Sequence, residues 1–275
     1  MRFIGPHVST AKGYAIAVRE AIAMGANAFQ FFSRNPRGSK FRVSREIEVA
    51  EFHDLLRAYD FGPLQAHAPY TLNLASPDER VYEFGYQVVR EDVARMNDLK
   101  IPYFVFHPGN HLGTGIEAGI QRIAAALNAA IKGTEQMTVL LETMSGKGTE
   151  IGSRFEDLRR IIDLVERPEK LGVCMDVCHV FSAGYDIKGD LDGVLDRFDR
   201  VVGIARLKSI HLNDSFHPID SRKDRHTPIG EGAIGMEAIL NLMRHPALRN
   251  LPFYLETPLD YNGHKREIAM LKSRL

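Results

Sequence analysis

The feature that most limits what this chain can fold into is an alternation that runs its whole length. Eight short β-branched or aromatic runs recur: IGPHV from Ile4, NAFQFF from Asn27, LQAH from Leu64, YFVFH from Tyr103, TVLLE from Thr138, GVCMD from Gly172, SIHL from Ser209 and FYLE from Phe253. Between them lie stretches of helical period, such as Tyr14, Val18, Ala21, Ile22 and Gly25, then Val49, Phe52, Leu56 and Tyr59, and Phe155, Leu158, Ile161, Ile162 and Val165. Local helix starts are also written: Ser76-Pro77-Asp78-Glu79 reads as a hydroxyl cap followed by proline and a carboxylate, and Ser153 with Glu156 repeats the box. Strand then helix, eight times in 275 residues, predicts a (β/α)8 TIM barrel folded as a single domain over residues 1–275. Such short buried strands show apolar runs more than alternation. The competing architecture is an open doubly wound sheet, with its ligand at a switch point and not around a ring.

The chemistry is written at the ends of the runs. His67, His107, Glu142, Asp176, His211 and Glu256 stand at or just past the last residue of predicted strands three to eight, in order. A barrel brings its strand C-termini to one mouth, so these six become neighbours. A lone histidine there is usually a satisfied loop residue, but six donors in register have no such joint explanation. Uncompensated, the carboxylates would repel one another; divalent cations remove that cost and use neutral imidazole as a ligand. His179 in MDVCH and the Asp224 and His226 of KDRH lie in loops on the same mouth. Nine nitrogen and oxygen donors exceed what one ion uses and fit three, with a carboxylate bridging two of them. The mixture suits zinc first, with manganese or iron as substitutes. Three divalent ions outweigh the four carboxylates, and that cationic surplus in a cleft points to a phosphate and to phosphoester hydrolysis.

Bulk properties neither add to this reading nor oppose it. Thirty-five basic residues balance thirty-five acidic ones, so a polyanion must be gripped by local loops. Two cysteines without a secretory preface argue for a reducing, cytoplasmic setting, and no apolar run approaches the roughly 18 residues of a membrane span.

The segments HAPYTLNLA (His67 to Ala75), LETMSGKGTEIG (Leu141 to Gly152), MDVCHVFSAGYD (Met175 to Asp186), HLNDS (His211 to Ser215) and KDRHTPIGEG (Lys223 to Gly232) resemble the endonuclease IV family of apurinic/apyrimidinic endonucleases, and the likeness covers essentially the whole chain. The resemblance implies a zinc-dependent enzyme that cuts damaged double-stranded DNA 5′ to an abasic site and trims blocked 3′ ends. It assigns His67, His107 and Glu142 to one ion, Glu142, Asp176, His211 and Glu256 to a second, and His179, Asp224 and His226 to a third. A hydroxide shared by the first two ions would attack phosphorus, with Glu142 and Glu256 placed to accept a proton. Arg34, Asn35 and Arg37 in SRNPRG, and Tyr70 in HAPY, match the family's DNA contacts. An abasic nucleotide, lacking pairing and stacking, is cheaper to extrude than an intact one. A monomer with no membrane partner is expected. Two departures stand out: Thr71 where an apolar wedge would fill the vacated stack better, and Val177 where a hydroxyl-bearing residue is usual.

Other features carry less. GEGAIG formally matches a dinucleotide fingerprint, but it ends a polar loop and reads as a turn into a helix. Cys174 and Cys178 are read as core thiols, and His7 as either supporting the ligands from behind or lining the cavity; His53 and His245 are read as surface or satisfied residues. His111 and His217 fall in mouth-side loops with no role indicated. The rival enzyme is a single-metal sugar isomerase or epimerase using Glu142, Asp176, His211 and Glu256, and the rival of another class is a catalytically silent barrel that only recognises damaged DNA.

Overall fold

The structure is a computed structural model that describes residues 2–36, 41 and 46–275. Its strands are β1 (Phe3–Pro6), β2 (Gln30–Phe32), β3 (Gln65–His67), β4 (Tyr103–Phe106), β5 (Thr138–Glu142), β6 (Leu171–Asp176), β7 (Leu207–Leu212), β8 (Asp214–Ser215), β9 (His226–Thr227) and β10 (Pro252–Leu255). Eight of them form one parallel sheet in the order β1-β10-β7-β6-β5-β4-β3-β2, and a parallel bridge between His7 and Gln30 joins its two edges. The sheet is therefore a TIM barrel, as the alternation predicts, and the open doubly wound sheet is set aside. Between strands run the helices α1 (Tyr14–Ala23), α2 (Glu46–Ala58), α3 (Glu79–Asp98), α4 (Ile116–Ala130), α5 (Phe155–Leu164), α6 (Val177–Ser182), α7 (Leu191–Val201), α8 (Met236–Arg244) and α9 (Tyr261–Arg274). Among the described residues, no helix is long and apolar enough to cross a membrane.

The apolar runs are explained by burial on both faces. Every residue of β6 is buried, and the main core, from Ile4 and Phe31 through Ile161 to Leu271, fills the layer between strands and helices. A second, small cluster of Val105, Leu140 and Cys174 packs against Tyr103. These three stand two residues before His107, Glu142 and Asp176, which by the period of a strand puts them on the same face of the sheet one layer down. Gln65 and Ser209 hold the equivalent places before His67 and His211 and bond to each other, so the layer beneath the mouth is apolar on one side and polar on the other. Closure of the barrel needs a residue without a side chain: a Cβ on Gly5 would stand 1.6 Å from the Ala28 carbonyl oxygen.

Helix caps differ from the sequence reading at two places. Asp78, not Ser76, caps α3, accepting from the Arg80 and Val81 amides, while Ser76 only braces Asp78. Standing closer to the first turn, the Asp78 carboxylate reaches two orphan donors that the Ser76 hydroxyl cannot. At α5 the cap position is Arg154 with no side-chain bond, one residue after Ser153, and Asp157 instead takes the Gly152 amide.

The antiparallel hairpin β8–β9 was not legible as a strand pattern. It pairs Asp214 with Thr227 and Ser215 with His226, and so folds the KDRH segment back over the mouth. Its anchor is the buried Asp214 carboxylate, which accepts backbone amides from Ser215, Gly230, Gly232, Ile234 and Gly235. GEGAIG is thus a nest of N–H groups around a side chain that belongs to the protein itself, followed by α8, and is no nucleotide fingerprint. We expect Asp214→Ala, which leaves five amides without their charged acceptor, to destabilise the protein by at least ~3 kcal/mol in urea denaturation.

Candidate metal centre

The strand ends deliver the six register residues to one mouth. His67, Glu142 and Asp176 end β3, β5 and β6; His107 and Glu256 follow β4 and β10 by one residue; His211 is the penultimate residue of β7. At their centre is the fully buried Glu142 carboxylate. One oxygen lies 3.1 Å from His67 Nε2 and 3.3 Å from His107 Nε2; the other lies 3.0 Å from His211 Nδ1 and 3.4 Å from His179 Nδ1. The opposing charges of His211 and His107 outweigh the cost of burial and hold the Glu142 carboxyl well below the usual carboxylate range.

Donor atoms close to within 4.8 Å of one another fall into overlapping groups: His67 with His107 and Glu142; Glu142 with Asp176, His211 and Glu256; His67 with His211 and Glu256; and Asp176 with His179 and His226. The first two coincide with two of the three sets that the resemblance implies. For the third set, His179 Nε2 and His226 Nε2 each lie 3.3 Å from the same oxygen of Asp224. Cys178 also groups with Asp224 and His226, but burial pushes its thiol up to about 11, so near neutral pH it keeps its proton.

The ring nitrogens facing these carboxylates are fixed from behind. His67 Nδ1 lies 2.6 Å from the Ala68 carbonyl oxygen, His179 Nδ1 2.8 Å from that of Thr143, and His226 Nδ1 3.1 Å from that of Glu256. A carbonyl only accepts, so in each ring Nδ1 carries a proton, which leaves Nε2 as the nitrogen whose lone pair a cation can take. His179 Nε2 is buried with no well-aligned hydrogen bond, its facing group being the Asp224 oxygen at 3.3 Å, which suits a nitrogen that shares a cation with that carboxylate. Neutral imidazoles and ionised carboxylates set together in this way fit divalent ions of the zinc type.

Asp176 does two things. It accepts the His179 amide as the cap of α6, at 2.8 Å, and it receives Asn213 Nδ2 on its other oxygen, also at 2.8 Å. Asn213 and Thr143, whose hydroxyl accepts the Asp176 amide, escaped the sequence reading, as did Gln30 and Gln65. For the two glutamines a signal existed, since an amide side chain inside a fully buried run needs a polar partner. The β4 loop is tied to the β3 loop by Asn73, which accepts from Asn110 and Ala75; Gly109, at φ 121°, makes room, because a Cβ there would stand 2.3 Å from the Asn73 oxygen.

The candidate DNA contacts divide. Tyr70 is 51% exposed on the β3 loop, and Asn35 is exposed after β2. Arg37 lies outside the described residues. Arg34 is held within the protein: its side chain is 2% exposed and pairs with the buried Asp92 at 2.7 Å, with Glu91 alongside. It anchors the β2 loop to α3, because a guanidinium in a buried pair cannot leave it cheaply. Thr71 is exposed and Val177 is buried as the first residue of α6. Phe216, exposed beside the hairpin with the Arg225 guanidinium 4.6 Å from its ring centre, was not singled out by sequence. His7 lines the wall against Phe32, and burial lowers its pKa to about 3. His245 pairs with Asp192, and His111 accepts amides within its own loop, whereas the ring of His53 keeps a buried nitrogen without a partner.

Comparison with known proteins gives the family. Residues 18–274 match the family model described as a xylose isomerase-like TIM barrel. A probable endonuclease 4 of Alkaliphilus oremlandii is 53% identical over 98% of this chain and 96% of its own length, and one of Akkermansia muciniphila is 52% identical over 99% and 98%. The crystal structure of endonuclease IV from Thermus thermophilus superposes with a TM-score of 0.89 at 34% identity, covering 100% of this chain and 98% of that one. The chain belongs to the endonuclease IV family. A D-tagatose 3-epimerase-like protein, at 17% identity and a TM-score of 0.72, shares the barrel fold with this family member.

Without metal, His226, His179 and His107 hold their protons more tightly than a free imidazole does. Burial works against the charge on His226, but Asp176 and Asp224 outweigh it and raise its pKa to about 9; His179 and His107 are raised for the same kind of reason. A raised folded value contributes stability that is complete below the unfolded value near 6.5 and is lost as pH climbs through the folded one. The chelated protein is therefore expected to lose thermal stability between about pH 6.5 and 9. Added zinc, competing for the same lone pairs, is expected to abolish that loss, as a pH series of melting curves would record.

Proposed function

We propose that this chain is a metal-dependent DNA repair hydrolase, a zinc endonuclease that cleaves the phosphodiester 5′ to abasic sites and trims blocked 3′ ends, working as a single-domain monomer. The observation that carries the reading is the Glu142 carboxylate, whose two oxygens face different sets of donors. Relatives named as probable endonuclease 4 over nearly the full chain support it. Three ions are assigned: one to His67, His107 and Glu142, one to Glu142, Asp176, His211 and Glu256, and one to His179, Asp224 and His226, with manganese or iron as substitutes for zinc. When bound, such ions supply hydroxide near neutral pH, neutralise phosphate oxygens and stabilise the leaving 3′-oxygen.

The chain's own residues do the remaining work. Glu142 and Glu256 accept the proton of the attacking water, and the carbonyls behind His67, His179 and His226 keep Nε2 directed at the mouth. Asn35, Arg37 and Tyr70 meet the damaged duplex, whose abasic nucleotide is extruded at low cost. The two free, buried thiols, Cys174 and Cys178, suit a reducing cytoplasm. A single-metal sugar epimerase, the reading that the barrel fold alone would allow, leaves His67, His107, His179, Asp224 and His226 without a task.

Elemental analysis coupled to a strand-scission gel on an abasic duplex tests the proposal: about three ions per chain and scission abolished by chelator are expected, and one ion per chain with no scission would overturn it. Glu142→Gln, which removes the charge shared between two sets while keeping the shape, is expected to lose scission by several orders of magnitude even where circular dichroism shows the barrel still folded. Arg37→Ala is expected to weaken binding to the abasic duplex and to reduce the slope of affinity against salt by about one ion.

A further inference from the structure

His211 is held differently from the other histidines of the centre. Its Nδ1 faces the carboxylates, 3.0 Å from Glu142 and 3.5 Å from Glu256, while its Nε2 points down into the barrel. What meets Nε2 there is no backbone carbonyl but the side-chain amide of Gln65, at 2.7 Å. Gln65 also bonds Gln30 Oε1 at 3.0 Å and receives the Ser209 hydroxyl at 2.6 Å, and Gln30 Nε2 reaches Glu256 Oε1 at 2.5 Å. Gln30, Gln65, Ser209 and His211 are all fully buried. A continuous polar string thus runs beneath the mouth from one candidate donor, His211, to another, Glu256.

An amide differs from a carbonyl in being able to face a ring nitrogen with either end, and the two orientations have the same shape. With the NH2 end toward His211, Nε2 accepts and the ring proton of the neutral imidazole sits on Nδ1, where it blocks a cation. With the oxygen end toward His211, Nε2–H donates, Nδ1 is bare, and the NH2 end donates to Ser209, whose hydroxyl serves equally as acceptor. Reversal at Gln65 also turns its oxygen toward Gln30. Gln30 must then present its own NH2 there, which withdraws its donor from Glu256 and releases that carboxylate toward the mouth.

We propose that Gln65, with Gln30 and Ser209, is a positioning device that sets the tautomer of His211, so that the amide orientation decides whether His211 and Glu256 are jointly available to a divalent ion. This rests on the metal reading above and adds to it a specific requirement for an acceptor beneath one imidazole. Positioning partners of this kind change metal affinity by about 10- to 100-fold when removed.

The test uses the full-length protein and zinc alone, with retention measured by competition against a chromophoric chelator and ions per chain by elemental analysis. Gln65→Leu, which removes the acceptor, is expected to weaken one ion by about 10- to 100-fold and to leave the others bound. Gln65→Glu, which offers only acceptors to His211 Nε2–H, is expected to hold zinc at least as well as the wild type. A purely structural glutamine predicts the reverse, since a buried charge harms packing more than leucine does. Equal retention by Gln65→Leu and wild type, or a fall in Gln65→Glu as large as that in Gln65→Leu, would overturn the proposal. Should Gln65→Leu not fold, the wild type decides alone: nitrogen-15 spectra of histidine-labelled, zinc-loaded protein are expected to show His211 protonated at Nε2, and a proton on Nδ1 refutes the idea. A wild type that retains no zinc overturns the metal reading itself, and the role of Gln65 with it.

Discussion

The structure depends on a conflict between charge and burial that is resolved at one carboxylate. Glu142 lies out of reach of solvent, where an isolated carboxylate costs several kcal/mol, and it is held there because imidazoles from β3, β7, the β4 loop and α6 surround it. Each of these groups is brought by a different βα unit, so the arrangement exists only if the barrel closes in register. The same parallel ladders that build the fold therefore fix the distances of the centre, and a slip of one residue in any strand would turn its donor to the opposite face.

Support from beneath is as important as the donors. Backbone carbonyls aim three rings, Thr143 and Asn213 hold Asp176 from two sides, and an amide string runs below His211. The apolar half of the same layer, Val105, Leu140 and Cys174, carries no polar atoms that would compete for these partners apart from one weakly polar thiol. The β8–β9 hairpin completes the mouth from outside: the Asp214 carboxylate gathers the glycine-rich segment, and the hairpin register then places His226 and, two residues before it, Asp224 beside His179.

Much of this was legible in the sequence, for a physical reason. Buried parallel strands are apolar runs, so a histidine or carboxylate terminating each one is conspicuous, and chain order alone tells which strand end it occupies. His67, His107, Glu142, Asp176, His211 and Glu256 were visible in this way, and the closed barrel with them. What local pattern could not give was orientation and competition. Arg34 reads as a loop cation next to Asn35, and only the packing of α3 against the β2 loop reveals Asp92 as its partner. The two-residue strands β8 and β9 are too short to carry a period, and the caps at α3 and α5 shifted by one or two residues because several side chains compete for the same amides. Gln30 and Gln65 were hidden inside segments read simply as strands.

One consequence follows from Asp176, which serves as the terminal residue of β6, the cap of α6 and a member of the central donor group. Fraying of the first turn of α6 would remove the His179 amide from that carboxylate and, with it, the ring of His179 from the mouth. On the metal reading proposed above, local opening of this short helix would be coupled to exit of the cation. Amide hydrogen exchange in α6 should accordingly slow in step with occupancy of the centre, while the outer helices keep their own rates.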